Sequence, residues 1–361
     1  MSLFGKNYVV DIFGESHSRA IGAVISGLPA GTDIDESQIR AFLDRRKPSS
    51  AAFSTKRREG DVFKILSGVL DGKSTGAPIA LIIENADTRS ADYESLKRTF
   101  RPSHSDYAAY VKYGGFNDYR GGGQFSGRLT APLCAAGSIA LSVLAKRGVE
   151  VVAYISSIGK TSAASYNGLS AALKELDCEK IREIKQADYP LLDKSRKDAI
   201  IKEIENAAKG GDSVGGVIEC VIKGLPAGFG GAIFDGLESK LSAAIFGIPA
   251  VKGIEFGAGF GVSAMRGSAA NDAMFFDGGV IVTRTNNCGG ITGGISNGMP
   301  VTFRTAFKPV PSIALEQDTI DIDRRENTKI KIAGRHDSCI VPRAVPVVEA
   351  AAACVLLDIL L

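Results

Sequence analysis

The 361-residue sequence predicts an α+β sandwich: two antiparallel sheets outside, long central helices between them (a β-α-β layering), and an internal pseudo-repeat. Three observations predict it. The pentapeptide GLPAG occurs at 27–31 and again at 224–228, each time after an apolar strand pattern (AVIS, ECVIK) and before a helical one. The tetrapeptides GAPI at 76–79 and GMPV at 298–301 follow in the same order, each opening a strand. Two alanine-rich runs, 131–147 and the stretch after Pro346, have the length and apolarity of buried helices. Matched pairs in one order imply a single domain over 1–361 made of two similar halves, about 1–150 and 213–361.

Residues 8–13 form a short apolar run that reads as a strand and delivers Gly14, Glu15, Ser16 and His17 at its end, where sites are commonly built. Residues 22–26 give the next strand, closed by the first GLPAG. In DIDESQIRAFLDRR, Asp35 is placed to cap a helix whose Ile39, Phe42 and Leu43 share one face. Its basic end, Arg45-Arg46-Lys47, suits the negative pole of the helix dipole, and Pro48 stops it. Residues 49–60 are small, polar and basic, and read as a mobile loop. Strands over 62–69 and 78–83 are joined by the turn DGKSTGA. The helix at 131–147 carries Leu133, Gly137, Ala140, Leu141 and Leu144 on its buried side, and 149–158 is a strand. From 160 to about 212 the chain turns charged and glycine-poor, a peripheral helical insert with a solvated face. Strand character resumes at 217–222, and FDGLESKLSAAIFG then reads as an Asp-led helix matching the first.

Forty-three basic and 40 acidic residues leave a net charge of +3, so the chain lacks the broad basic field of a duplex-binding protein. Its cations are concentrated locally, in Arg45-Arg46-Lys47 and Lys56-Arg57-Arg58, which favours a small anionic ligand over a polymer. Six scattered cysteines without a C-x-x-C fit reduced thiols in the cytoplasm and neither a disulfide framework nor a structural zinc. The first residues show no signal-peptide pattern, and the C-terminal apolar run is short and interrupted by Glu349 and Asp358, so no membrane association is expected. No P-loop and no strand–GxGxxG–helix unit is present.

Residues 101–130, RPSHSDYAAYVKYGGFNDYRGGGQFSGRLT, follow neither period and read as an ordered loop. Gly121, Gly122 and Gly123 allow backbone N–H groups to approach an anion, and Arg101, Arg120 and Arg128 offer planar charged forks. The chain has only three histidines, His17, His104 and His336, and each stands in a loop beside Gly, Arg or Asp. Their spacing suits proton transfer near neutral pH and not a metal site. Ser16 adjoins His17, but neighbours at a strand end are expected to point apart, and no G-x-S-x-G is present, so a serine nucleophile is not expected.

Six motifs in register extend this. GESH at 14–17, RPSHSDY…KYG…DYRGGG at 101–123, GIPAVKGIEFGAGF at 247–260, GGITGGISNG at 289–298, KPVPSI at 308–313 and GRHDSCIVPRAVPVVEA at 334–350 together resemble the chorismate synthases, from end to end. The resemblance implies a homotetrameric cytoplasmic lyase of the shikimate pathway. It implies conversion of 5-enolpyruvylshikimate-3-phosphate to chorismate by 1,4-anti elimination of phosphate, with reduced FMN and no net redox change. It places His17 beside the reduced flavin, His104 as proton donor to the departing phosphate, and Asp337 with flavin N5 where C6 loses hydrogen. Arg46, Arg101, Arg128 and Arg335 match the arginines of the anion pocket. FMN contacts fall on Gln124, Phe125, Ser126, Pro249, Ala250, Gly293, Lys308, Pro309, Val310, Pro311, Ser312 and Arg335. The sequence departs from the commoner pattern at Ser18 and Ser103 (usually Gly), Gln124-Phe125 (Arg-Ser), Leu129 (Glu), Pro249 (Asn) and Ala52, a loop arginine in many members. Some members also reduce their flavin with NADPH.

Two other classes fit parts of the sequence. Tyrosines interleaved with arginines around YRGGGQF suit a single-stranded RNA platform, though RNP and KH signatures are missing. A general flavin oxidoreductase would instead oxidise its flavin as substrate is consumed.

Overall fold

A computed structural model describes residues 2–47, 60–85, 93, 96–163, 176–332 and 337–361. Ten strands make two five-stranded antiparallel sheets. The first holds β1 (Ser2–Phe4), β2 (Val9–Gly14), β3 (Ala20–Ser26), β4 (Phe63–Ser67) and β5 (Ile79–Glu84) in the order β1-β2-β3-β5-β4. The second holds β6 (Glu150–Ile158), β7 (Thr161–Ser162), β8 (Gly216–Lys223), β9 (Val251–Phe256) and β10 (Val301–Phe307) in the order β9-β10-β8-β6-β7. Read from the matching end, β2-β3-β5-β4 and β6-β8-β10-β9 follow one topology, and both GLPAG loops leave the second strand of their set.

Helices fill the space between the sheets. After β3 comes α1 (Glu36–Arg45), capped as its sequence predicts: the Asp35 carboxylate accepts from the Ser37 and Gln38 amides, and Ile39, Phe42 and Leu43 are buried. Two long helices, α3 (Thr130–Lys146) and α7 (Val341–Leu360), cross at the centre. Along α7 the run from Val345 to Leu357 is buried without a break, as expected of a helix with sheets or helices on every side. Within it Glu349 is fully buried, accepting from Arg45 Nη1 at 2.6 Å and from the Ala153 amide at 2.9 Å. That pair ties α1, α7 and the second sheet together. The α3 segment is apolar enough to span a bilayer, but it is spent inside the core.

Three local readings are corrected. The 101–130 segment contains α2 (Asp106–Lys112), a seven-residue helix. The helix after the second GLPAG, α6 (Leu237–Phe246), starts from Gly236 with no side-chain cap, and Asp235 lies in the preceding turn. The last helix begins at Val341, with Pro342 in its first turn and Pro346 inside it; burial of the helix outweighs the one backbone bond that Pro346 cannot make. In the insert, α4 (Cys178–Gln186) and α5 (Lys197–Lys209) have solvated faces but are also structural. Ile181 and Ile184 of α4 cover Val152, Tyr154 and Val221, while Val151, Ala153 and Ile155 face the central helices. Strand alternation thus gives the second sheet an apolar layer on both sides.

The helix crossing rests on Gly137. A Cβ there would lie 2.3 Å from the Ala350 Cβ and 2.4 Å from its Cα, backbone that cannot step aside. Gly137→Val is therefore expected to destabilise by about 1–3 kcal/mol or more through overpacking, read as a lowered urea midpoint. An unchanged midpoint would show that the two helices can separate without cost.

Candidate active site

The loops at one side of the sandwich enclose a cleft of about 810 Å³. It is lined by the end of β2, the 101–128 segment, the turn before β9, the segment after β10 and the start of α7. His17, His104, Asp337, Arg46, Arg101 and Arg128 all line it. So do Gln124, Phe125, Ser126, Pro249, Ala250, Lys308, Val310, Pro311 and Ser312. Pro309 and Gly293 are not among the lining residues. Gly293 turns the hairpin Ile291–Thr292/Ile295–Ser296, whose Gly294 carbonyl accepts from the Leu237 amide at the start of α6, so within one chain that hairpin serves packing. Arg335 lies outside the described residues, as do His336 and positions 48–59.

The three-glycine turn brings the imidazoles together. At Gly121 (φ +66°) a Cβ would sit 2.4 Å from His17 Cε1 and 2.7 Å from Ser16 Oγ; at Gly122 (φ +145°) it would meet His104 Cε1 at 3.4 Å. The Ser16 amide donates to the Gly123 carbonyl at 3.1 Å and Ser16 Oγ to the Arg120 carbonyl at 3.1 Å. Ser16 Oγ is also 3.0 Å from His17 Nδ1, so the two side chains meet where they were expected to point apart. The reason is local: β2 ends at Gly14, with φ +98°, and the chain turns there. With its one hydrogen on the Arg120 carbonyl, the serine accepts from Nδ1–H. Serine is thereby an orienting group for His17. The Tyr93 ring packs edge-on to His17 at 4.9 Å.

Around His104, the Arg101 guanidinium clamps Asp106: Nε to Oδ2 and Nη2 to Oδ1, both 2.7 Å. Arg101 Nη1 reaches Ser312 Oγ at 3.4 Å. His104 Nδ1 lies 2.6 Å from Asp106 Oδ1. Burial holds the His104 pKa below the usual imidazole value, with the Arg101 and Lys308 charges acting the same way and Asp106 opposing them. Burial alone would raise the Asp106 carboxyl, but bonds from Arg101 and His104 hold it well below the usual carboxylate range. Lys308 Nζ donates to the Ser103 carbonyl, tying the proline-rich segment to the His104 loop. Burial and the Lys252 charge lower the Lys308 pKa.

Arg46 and Arg128 meet on one carboxylate. Asp61 accepts from Arg46 Nη2 at 2.5 Å and from Arg128 Nη1, while Arg128 Nε donates to Asn85 Oδ1 at 3.1 Å. All three ionic side chains are buried, and all three line the cleft. Asp337 accepts from Arg343 Nη1, and Arg343 Nε donates to the Arg46 carbonyl at 3.1 Å. Arg120, in contrast, spends its fork on Asp118 at 2.8 Å and braces the loop, leaving the cleft to the other arginines. Sequence reasoning missed Asp61, Asp106 and Arg343. The last two stand inside motifs already singled out; Asp61 carried no pattern.

The cleft is large enough for a small substrate and a planar cofactor, within the ~300–1,000 Å³ typical of such sites. Phe125, Ile248, Pro249, Val310 and Pro311 form apolar walls suited to a flat ring. Lys308, Lys252 and Ser312 stand beside them as partners for a phosphate tail. A flavin mononucleotide fits that donor set, and the guanidiniums across the cleft fit an anionic substrate.

Comparison with known proteins agrees. The family model for chorismate synthase matches residues 9–361. A chorismate synthase of Dehalococcoides mccartyi is 47% identical over 358 residues, 99% of this chain and 96% of that protein. One from Thermococcus kodakarensis is 45% identical over 357 residues, 99% of this chain and 97% of the other. A crystal structure of chorismate synthase superposes with a TM-score of 0.77 at 28% identity, covering 99% of this chain and 92% of that one. With a shared fold and near full-length similarity at this level, the chain belongs to the chorismate synthase family of lyases.

Proposed function

We propose that this cleft converts 5-enolpyruvylshikimate-3-phosphate to chorismate and inorganic phosphate, with reduced FMN bound beside the substrate. The observation that carries the reading is the convergence of His17, His104, Asp337 and three arginines on one cleft. In the elimination the bond from C3 to the phosphate oxygen breaks, C6 gives up its hydrogen, and the ring gains a double bond with no net redox change. Arg46, Arg101 and Arg128 offset the charge of the phosphate and carboxylates. His104 Nε2 gives its proton to the phosphate as it departs. Asp337, held by Arg343, is the carboxylate that takes the C6 hydrogen as a proton, the electron pair of that C–H bond staying in the ring as the new double bond. His17, oriented by Ser16, would help hold the ring system of the cofactor. Bound reduced flavin supplies transient electron density that no side chain has. The aromatic and proline walls limit water around it.

An anaerobic assay with reduced FMN and the enolpyruvyl substrate tests this. Chorismate and phosphate should form together, and phosphate release without chorismate, or neither product, would overturn it. Running the same assay with oxidised FMN and NADPH tests whether this chain reduces its own flavin.

We further propose a cytoplasmic homotetramer. Supporting it, the ribbon Met274–Asp277/Val280–Thr283 exposes Met274, Phe276, Val280 and Ile281, and Phe260 and Phe234 are also largely in solvent. Apolar surface of this extent on a globular chain suits a second copy. Phe276→Asp should shift the sedimentation coefficient from tetramer toward smaller species; an unchanged value would remove the ribbon from the interface.

A further inference from the structure

We propose that Asp106 is a positioning residue that locks His104 as its Nδ1–H tautomer, so that Nε2 alone exchanges the proton in the cleft. The inference rests on the lyase reading for its rate effect and on geometry for the tautomer.

Two groups compete for His104 Nδ1. Asp106 Oδ1 is 2.6 Å away and accepts only; Arg101 Nη2 is 3.1 Å away and donates only. A neutral ring could satisfy one or the other. Arg101 Nη2 gives one of its two hydrogens to Asp106 Oδ1 at 2.7 Å, so that oxygen is shared between the guanidinium and the ring. The shorter contact therefore decides: Nδ1 carries hydrogen and gives it to Asp106. Ser105 Oγ, at 3.4 Å from the same nitrogen, is a weaker rival.

The carboxylate is itself immobile. Oδ2 takes both the Arg101 amide, at 3.0 Å, and Arg101 Nε, so a single residue holds it from backbone and side chain. Asp106 opens α2, where a negative charge is favoured, and is only 8% exposed. Its remaining direction faces His104. Away from this bond, His104 Nε2 lies 3.5 Å from where a Gly122 Cβ would stand. When the ring is protonated, the labile proton thus sits on the nitrogen directed away from Asp106. When it leaves, the Nδ1–H bond persists and the ring keeps its place. The charged and titratable groups facing His104 are Arg101 and Asp106 from its own segment and Lys308 from the strand-following segment.

The chain has three histidines, so ¹⁵N-histidine labelling gives a simple spectrum. In the wild-type protein, His104 should show a protonated Nδ1 and an unprotonated Nε2 near neutral pH, assigned by loss of its signals in His104→Ala. The opposite tautomer would overturn the proposal whatever the activity. In Asp106→Asn, a near-isosteric change, the amide can turn its NH₂ toward the ring; tautomer mixing should follow, with kcat reduced tenfold or more and KM little changed. The double variant with His104→Ala should be no slower than His104→Ala alone. A further independent loss in the double variant would show that Asp106 acts elsewhere. A correct tautomer in a chain that forms no chorismate would sink the lyase reading and leave this one standing.

Discussion

His104→Ala is expected to lower kcat by about 10²–10⁴-fold, the usual worth of a general acid placed on a leaving group. The site concentrates that demand on one ring. Arg101 is occupied by Asp106, and Lys308 by the Ser103 carbonyl, so neither is set to release a proton to departing phosphate. The same surroundings predict a pH dependence. Burial, Arg101 and Lys308 lower the His104 pKa in the free protein, outweighing Asp106. Because the acid form is the active one, kcat/KM should fall as pH rises through that lowered value, beginning below the ordinary imidazole range near ~6.5. A bound phosphate brings negative charge to the opposite side of the ring, so the limb in kcat should lie at higher pH than the limb in kcat/KM. Removing the Arg101 charge should move the kcat/KM limb upward. Rates in His104→Ala equal to wild type, or pH limbs that coincide, would take the proton donor's role from this residue.

Much of the architecture was legible because it depends on short-range rules applied twice. The two GLPAG copies end equivalent strands, and the order of sheet one is repeated in sheet two. Asp35 caps its helix because an N-cap is settled within four residues. What sequence hid was tertiary. The α2 helix has seven residues, two of them buried, too few to show a stripe, and it is held by the Arg101 clamp on Asp106. Pro346 looked like a boundary, yet burial of α7 on every side overrides one missing donor. Arg120 looked like a ligand-binding cation and is a brace, since Asp118 two residues earlier takes its whole fork. The motifs located His17, His104 and Asp337 in sequence; that glycines 121 and 122 stand against two different imidazoles is a fact of packing. Asp61 had no motif, and its significance lies in partners 15 and 67 residues away.

Removing that carboxylate should have the largest effect on stability. In Asp61→Ala, Arg46 and Arg128, each under a tenth exposed, would lose the carboxylate they share. Breaking a buried pair in this way costs about 3–5 kcal/mol, mostly because the charge left behind stays desolvated. Burial acts to raise the Asp61 pKa, but the two guanidiniums win and hold it below the usual carboxylate value. A carboxyl whose folded pKa is depressed contributes stability above its unfolded pKa of ~3.9 and loses it as pH falls through the folded value. Asp61→Ala should therefore also flatten the acid side of the stability profile. The cluster borders the cleft, so an added anion can take the vacated place. Inorganic phosphate should raise the melting temperature of Asp61→Ala more than that of the wild type, since a ligand at about 100 times its Kd adds ~2.7 kcal/mol to the folded state. Equal phosphate shifts in the two proteins would mean that the arginines turn to solvent when Asp61 goes. The guanidiniums would then owe their direction to Asp61 itself, and the rest of the cleft would not hold them in place without it.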